Sequence, residues 1–322
     1  MNDPLTDRIW ARFDGGGDTP FLTLSTLCRQ LVDWQRESWV EFKNACDSLR
    51  NTNTRDIKCS GFSIRLMYNP GRSVNTLAAV TPDEISERPC FLCVNNLPAE
   101  QMAIMYGDDF LILVNPRPIL PFHLTVAHRT HRPQSVYDSM TDFLRITQDI
   151  GPDFAMLYNG PRCGASAPDH LHFQAVPSGE MPIEKDLLLR EKFSVLSETD
   201  HTTVSSGRGL GREIIVIEGS NAGAVCAAFR ELADALRTET GHNDEPMINI
   251  IGHYIDNNFS LAVFPRRAHR PAAFFREDTQ KIMVSPAVME MGGMIVTPSE
   301  TDFNRLDAQT IESIYREVSL IK

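Results

Sequence analysis

The sequence predicts an α+β fold around a largely antiparallel sheet, on three observations. Between residues 109 and 177 the patterns run strand, strand, helix, strand, strand, which is not the alternation that builds a parallel βαβ sheet. The same theme returns more faintly after residue 213, separated by a polar stretch. The chain has 322 residues, 42% of them hydrophobic, enough to bury one large core or two small ones and too apolar for bulk disorder.

From Phe21 to about Leu49, the positions Leu24, Leu27, Leu31, Trp34, Phe42 and Leu49 recur among charges, the pattern of one amphipathic helix or two in succession. Residues 56–80 read as short strands broken by the turn cluster Asn69-Pro70-Gly71, with Arg72 just beyond it. Strands follow at 109–115 and 122–127, then a helix from Gln134 to Ile150 with Val136, Met140, Phe143 and Leu144 on one face, then strands at 154–159 and 170–177. Residues 180–212, with HTTVSSGRGLGR, read as an exposed connection. After a strand at 213–217 comes a helix from Ala222 to about Arg237 carrying Val225, Phe229, Leu232 and Leu236, strands at 247–252 and 259–264, and a terminal helix from about Asp307 to Leu320. The organisation expected is an N-terminal extension (1–80), a first half (81–180), a connection (181–212) and a second half (213–322). Placing Pro177 over Pro265 sets His170, His172 and Gln174 over Asn258, Ser260 and Ala262, so a duplicated second half would lack the polar chemistry of the first.

A net charge of -11 provides no basic field for nucleic acid, which leaves a small anion at a local basic site. MNDPLTDRIW has no export signal and no stretch approaches the roughly 20 apolar residues of a membrane helix, so a soluble, cytoplasmic protein without a membrane partner is expected. The seven scattered cysteines fit a reducing compartment.

The sharpest chemical signal is DHLHFQAVP. On a strand, His170, His172 and Gln174 would share one face, and Leu171 and Phe173 the other. A polar solvent face gives the same pattern. The loop from Asn159 to Asp169 tips the reading toward a ligand, because its small residues, Gly164, Ala165 and Ser166 among them, let backbone amides approach a phosphate. Cys90 and Cys93 have the C-x-x-C spacing of half a zinc site, a redox pair or inert thiols. His170 with either His128 or His131 would complete a tetrahedral set, and Cys163 could compete. Arg72, Arg88, Arg162, Arg266 and Arg267 are candidate phosphate ligands, although a lone arginine is more often a solvated surface residue. His253 and His269 fit no motif and read as structural.

These motifs resemble the histidine-triad (HIT) superfamily across about 90 residues. The likeness runs through Cys90-x-x-Cys93, Asn115-Pro116, Phe122-His123-Leu124-Thr125-Val126, and His131 eight residues after His123. It continues with Asn159 eleven residues before His170, then His172, Gln174 and Pro177. Gln174 in place of a third histidine, together with HLHFQA, resembles the branch of galactose-1-phosphate uridylyltransferase, diadenosine tetraphosphate phosphorylase and the GDP-hexose phosphorylases. Asn69-Pro70-Gly71-Arg72 and SPAVMEMGGMIVTP fit that branch more loosely. Gly164-Ala165-Ser166 departs from the A-G-Q of relatives, and Ser178 from their arginine.

The resemblance implies a HIT-like sheet in two halves, the second degenerate, and an enzyme acting on a nucleoside diphosphate sugar or a dinucleoside polyphosphate. Its acceptor would be phosphate or a sugar phosphate. His172 would attack the α-phosphorus, giving a covalent nucleotidyl-histidine, with Gln174 donating to a phosphate oxygen. Asn115, Asn159, Gly164, Ala165, Ser166, Arg72 and Arg162 would bind substrate, and Cys90, Cys93, His131 and His170 a structural zinc, with His131 preferred on its spacing from His123. A hydrolase, in which water takes the intermediate, and a zinc-stabilised nucleotide-binding protein are the alternatives. None of these motifs bears on a Mg²⁺ requirement or on oligomeric state.

Overall fold

The computed structural model describes residues 5–15, 23–72, 88–241 and 244–320, the Arg72 side chain excepted. In chain order the elements begin with β1 (Ile9–Phe13), α1 (Leu24–Ser38), α2 (Val40–Ser48), β2 (Asn53–Lys58) and β3 (Ser63–Tyr68). Next come β4 (Ala103–Tyr106), β5 (Phe110–Val114), β6 (Leu124–His128), α3 (Met140–Ile150), β7 (Phe154–Asn159) and β8 (His172–Pro177). They continue with α4 (Pro182–Leu187), β9 (Phe193–Glu198), β10 (Thr203–Gly207), β11 (Ile215–Gly219), α5 (Ala222–Thr240), β12 (Ile248–Ile255) and β13 (Asn258–Pro265). Last are α6 (Val288–Met291), β14 (Met294–Thr297), α7 (Glu300–Arg305) and α8 (Ala308–Val318).

The main sheet has 11 strands in the order β1-β4-β5-β6-β8-β7-β12-β13-β11-β10-β9. Read outward from the β7–β12 seam, the two sides match strand for strand: β7 with β12, β8 with β13, β6 with β11, β5 with β10 and β4 with β9. Each side carries one long helix, α3 or α5, between corresponding strands. The chain is thus two HIT-like halves joined at the seam, all antiparallel there; β1 alone adds to this sheet parallel, beside β4. A 3-stranded sheet, β14-β3-β2, packs separately.

Helix positions follow local chemistry. Thr23 caps α1 by accepting from Thr26 N, and Leu24, Leu27, Cys28, Leu31 and Val32 are buried at helical spacing. Asn221 caps α5, which Gly241 closes in the left-handed region at φ 68°. One face of the main sheet buries Phe110, Phe154, Tyr158, Phe173 and Phe259 against Leu27, Phe143 and Phe229 of the helices. The opposite face is covered on the second-half side by residues of the small sheet and α8, among them Ile64, Leu66 and Ile314. On the first-half side the described residues that cover it include Leu5 and the segment with Cys90, Leu92 and Leu97. Between these covers lies a cavity lined by β5, β6 and β8 residues such as Leu113, Thr125 and His172.

Three expectations change. The helix placed from Gln134 begins at Met140, because the Gln134 side chain is committed to the strand ends, donating to the carbonyls of Asn159 and His172 and accepting from His172 N. The strand placed from residue 170 begins at His172; His170 N closes a turn onto Ala167 O. Residues 181–212 are no open connection: they hold α4 and the hairpin β9–β10, whose serine-rich, weakly alternating sequence hides an edge pairing that only neighbouring β11 supplies. The part of the 56–80 reading from residue 73 onward lies outside the described residues. Among them, no helix is long and apolar enough to cross a membrane.

Phe173 sits within 6.1 Å, centroid to centroid, of Phe110, Phe143 and Tyr158, so it pins the strand bearing His172 to the helical layer. Phe173→Ala should cost about 3–5 kcal/mol in denaturant unfolding, the range for emptying a fully buried aromatic site. A loss below about 1 kcal/mol would show that the strand is held elsewhere.

Candidate active site and metal cluster

This cavity, of about 580 Å³, is lined by His172, Gln174 and Thr125, by Asn159, Gly164 and Ser166, and by Asn115. Phe91, Leu92, Leu97, Pro98, Ile119 and Met289 add apolar wall. That mixture suits a ligand with a flat apolar end and an anionic end.

At His172, which is 3% exposed, Nδ1 lies 2.8 Å from the carbonyl oxygen of His170. A carbonyl only accepts, so Nδ1 carries the proton and Nε2 keeps its lone pair. Burial lowers the pKa to about 4, so the ring stays neutral. Gln174 lies two residues along the same strand. Its Oε1 is 3.1 Å from His123 Nε2, and His123 Nδ1 accepts from Ile119 N at 3.2 Å. The Ile119 amide thereby sets the His123 tautomer, Nε2–H donates to Gln174, and the Gln174 NH2 group is left for the cavity. Gly164 has φ +112°, and a Cβ there would stand 2.6 Å from that of Ala287, so the small residue lets the loop close on the 287–290 segment.

Cys90, Cys93, His131 and His170 converge so that their ligand atoms all lie within 4.8 Å of one another. Sγ of Cys90 is 3.2 Å from His170 Nδ1, and Sγ of Cys93 is 3.3 Å and 3.7 Å from Nδ1 of His131 and His170. A tetrahedral zinc, at about 2.3 Å from sulfur and about 2.0–2.1 Å from nitrogen, separates such atoms by about 3.5 Å. The donor chemistry fits as well. His170 Nε2 donates to His128 O at 2.7 Å, which leaves Nδ1 as a ligand, and His131 Nε2 lies 3.7 Å from Asp169 Oδ2. Burial pushes the Cys90 thiol up to about 11, a cost that a cation would offset. His128 stands aside, with Nδ1 on the Thr130 carbonyl and its ring edge-on to Phe110.

The structure brings together at the cavity Arg88, Asn115, Asn159, Gly164, Ser166, His172 and Gln174. It does not bring the rest. Ala165 is buried and absent from the cavity wall. Arg162 turns its guanidinium to Glu245 O, 3.0 Å away, and stands outside the cavity, because the carbonyl-rich 244–248 segment meets it first. The Arg72 side chain lies outside the described residues. Cys163, which donates to Ile248 O at 3.1 Å, is outside the metal cluster, and Arg267 bonds Glu317 O. His170 does not join the row in the cavity; its ring faces the cysteines. Arg88 lines the cavity and donates to Ser166 O at 2.8 Å. His253 and His269 contact Glu184 and Ser285 away from it. Sequence reasoning passed over Gln134, which no motif marks, and the role of His123, which the strand motif contained.

The fold, an 11-stranded sheet in two matching halves, is that of the solved structures to which the chain is similar. Residues 31–177 match the family model of a domain of unknown function, DUF4922, and residues 242–322 that of the GDPGP1-like C-terminal domain. The crystal structure of yeast Ap4A phosphorylase Apa2 in complex with Ap4A is similar at 14% identity and TM-score 0.60, over 91% of this chain and 97% of that one. The same protein in complex with AMP gives 13% and 0.58, over 90% and 96%. No curated protein sequence matches the chain.

Purified protein should carry about one zinc per chain, and chelation should lower its melting temperature, since the metal ties three separate segments together. His131→Ala should lose the metal and His128→Ala should keep it; the reverse would exchange their roles.

Proposed function

We propose that the chain is a nucleotidyltransferase or phosphorylase that cleaves a nucleoside diphosphate sugar or a dinucleoside polyphosphate through a covalent nucleotidyl-histidine at His172. The carrying observation is the fixed tautomer: a buried, neutral imidazole in the cavity wall, beside the Gln174 amide, with neither His172 Nε2 nor the Gln174 NH2 bonded among the described residues. The likeness to Ap4A phosphorylase and to the GDPGP1-like C-terminal domain supports the same reading.

In the first step Nε2 attacks the α-phosphorus, the P–N bond forms, and the bond to the leaving phosphate oxygen breaks with its electrons departing on that oxygen. In the second, an oxygen of phosphate or of a sugar phosphate attacks phosphorus and the P–N bond breaks, returning neutral His172. The Nδ1–H bond to His170 O stabilises the positive charge that the ring carries between the steps. Gln174 Nε2 donates to a non-bridging oxygen as charge builds around phosphorus, and Asn115, Asn159, Gly164 and Ser166 hold the remaining oxygens. Zinc on the cysteine and histidine cluster would be structural, fixing the turn that supplies the His170 carbonyl.

Mass spectrometry of protein mixed with nucleotide sugars and dinucleoside polyphosphates should trap one nucleotide per chain, on His172. Two per chain, or an adduct on His253 or His269, would refute the single-centre reading. His172→Ala should abolish the adduct and lower turnover by several orders of magnitude with zinc retained, and initial rates should follow parallel ping-pong lines. Intersecting lines with an active His172→Ala protein would remove the mechanism.

Gln174→Ala should cost roughly 10²- to 10³-fold, as for one lost oxyanion donor. His123→Leu should cost less, and little more when added to Gln174→Ala, because its effect passes through that amide. Full additivity in that cycle would separate the two residues.

A further inference from the structure

Asn159 ends β7 and stands across the sheet from Asn249, the second residue of β12 in the other half; the two are register partners at the seam. The oxygen of the Asn159 amide is fully used. Its Oδ1 accepts from Asn249 Nδ2 at 2.9 Å and from Val288 N at 2.8 Å. Its Nδ2 has no hydrogen-bond partner among the described residues, while the residue lines the cavity.

The orientation of this amide is dictated from behind. Arg266, just after β13, is 1% exposed, and its guanidinium can only donate. Nη1 donates to Asn249 Oδ1, Nε to Val318 O, and Nη2 to the carbonyls of Ala268, His269 and Pro286. With Arg266 on its oxygen, the fully buried Asn249 must turn its NH2 the other way, toward Asn159 Oδ1 and the Cys163 carbonyl 2.8 Å off. Asn159 must then meet Asn249 with oxygen and the cavity with nitrogen. A buried donor at one end thus propagates through two amides and emerges as a donor at the other. Gln174 pairs with Leu157, so Asn159 stands opposite His172 two residues along, which puts the emergent NH2 beside the nucleophile.

We propose that Asn249 and Arg266 are positioning residues through which the second half fixes the Asn159 amide as a donor to the α-phosphate of a bound nucleotide. The inference rests on the function proposed above. It also gives the second half a part in the site, although it carries no nucleophile of its own.

Asn249→Asp is the discriminating variant. It keeps the volume and the acceptor for Arg266 but replaces the NH2 by oxygen, so Asn159 is drawn to turn its own NH2 inward. Calorimetry with AMP and GMP, against adenosine and guanosine, should show nucleotide affinity falling about 10-fold or more, as for a lost hydrogen bond to a charged group, with nucleoside affinity unchanged. In an Asn159→Ala background the same change should add less than about twofold. Nucleotide and nucleoside affinities falling together, or the full loss repeating in the Asn159→Ala background, would overturn the inference and leave only a structural role. If Asn249→Asp does not fold, Asn249→Ala carries the test, with a severalfold loss confined to the nucleotides. Wild-type protein that binds neither nucleotide and forms no adduct would remove the proposed function together with the inference. A wild-type protein that forms the adduct, beside an Asn249→Asp protein with unchanged nucleotide affinity, would remove the inference alone.

Discussion

The backbone carbonyl of His170 accepts from His172 Nδ1 at 2.8 Å, while the ring of that same His170 faces Cys90 and Cys93. One residue therefore joins the metal cluster to the cavity. Because a carbonyl oxygen can only accept, it decides which nitrogen of His172 is free, and because the His170 ring is held by the cluster and by His128 O, that carbonyl cannot drift. The cluster also brings Phe91, Leu92 and Leu97 to the cavity, so the apolar wall and His172 share one anchor.

The same logic of forced polarity recurs in two side-chain amides of the cavity, those of Gln174 and Asn159. A buried N–H or guanidinium with no acceptor function is placed one or two groups behind each amide, and hydrogen-bond complementarity leaves one orientation. Ile119 N acts through His123 on Gln174, and Arg266 acts through Asn249 on Asn159. In a low-dielectric interior the alternative orientation would oppose two donors or two acceptors, at a cost of the order of 1–3 kcal/mol for each unsatisfied buried group. Gln134 does comparable service for the backbone, holding both the N–H and the carbonyl of His172.

The two halves share strand order and differ where chemistry requires it. Between β7 and β8 runs the loop from residue 160 to 171, which carries Gly164 and Ser166 to the cavity; between β12 and β13 stands only the turn Asp256-Asn257, both with positive φ. A tight turn pairs the strands well but leaves no backbone free to surround an anion.

Local periodicity and motifs within about 90 residues made legible the α+β class, the position of β7 to the residue, the helical character of the extension and the cysteine–histidine spacing; that the extension splits into α1 and α2 is seen only in the fold. The sequence also placed His172 and Gln174 on one strand face, but with His170 beside them, which the fold puts in the turn before that strand. Tertiary structure decided what depends on partners distant in sequence. Strand β10 pairs with β11 and β9 with β10, and α3 starts late because Gln134 is spent on strand ends. Arg162, equal in sequence to any other arginine beside a glycine-rich loop, is claimed by Glu245 O, while Arg266 is drawn beneath the seam. The tautomers and amide orientations were invisible in the sequence for the same reason: each is set by a hydrogen bond whose donor or acceptor is chosen by the fold.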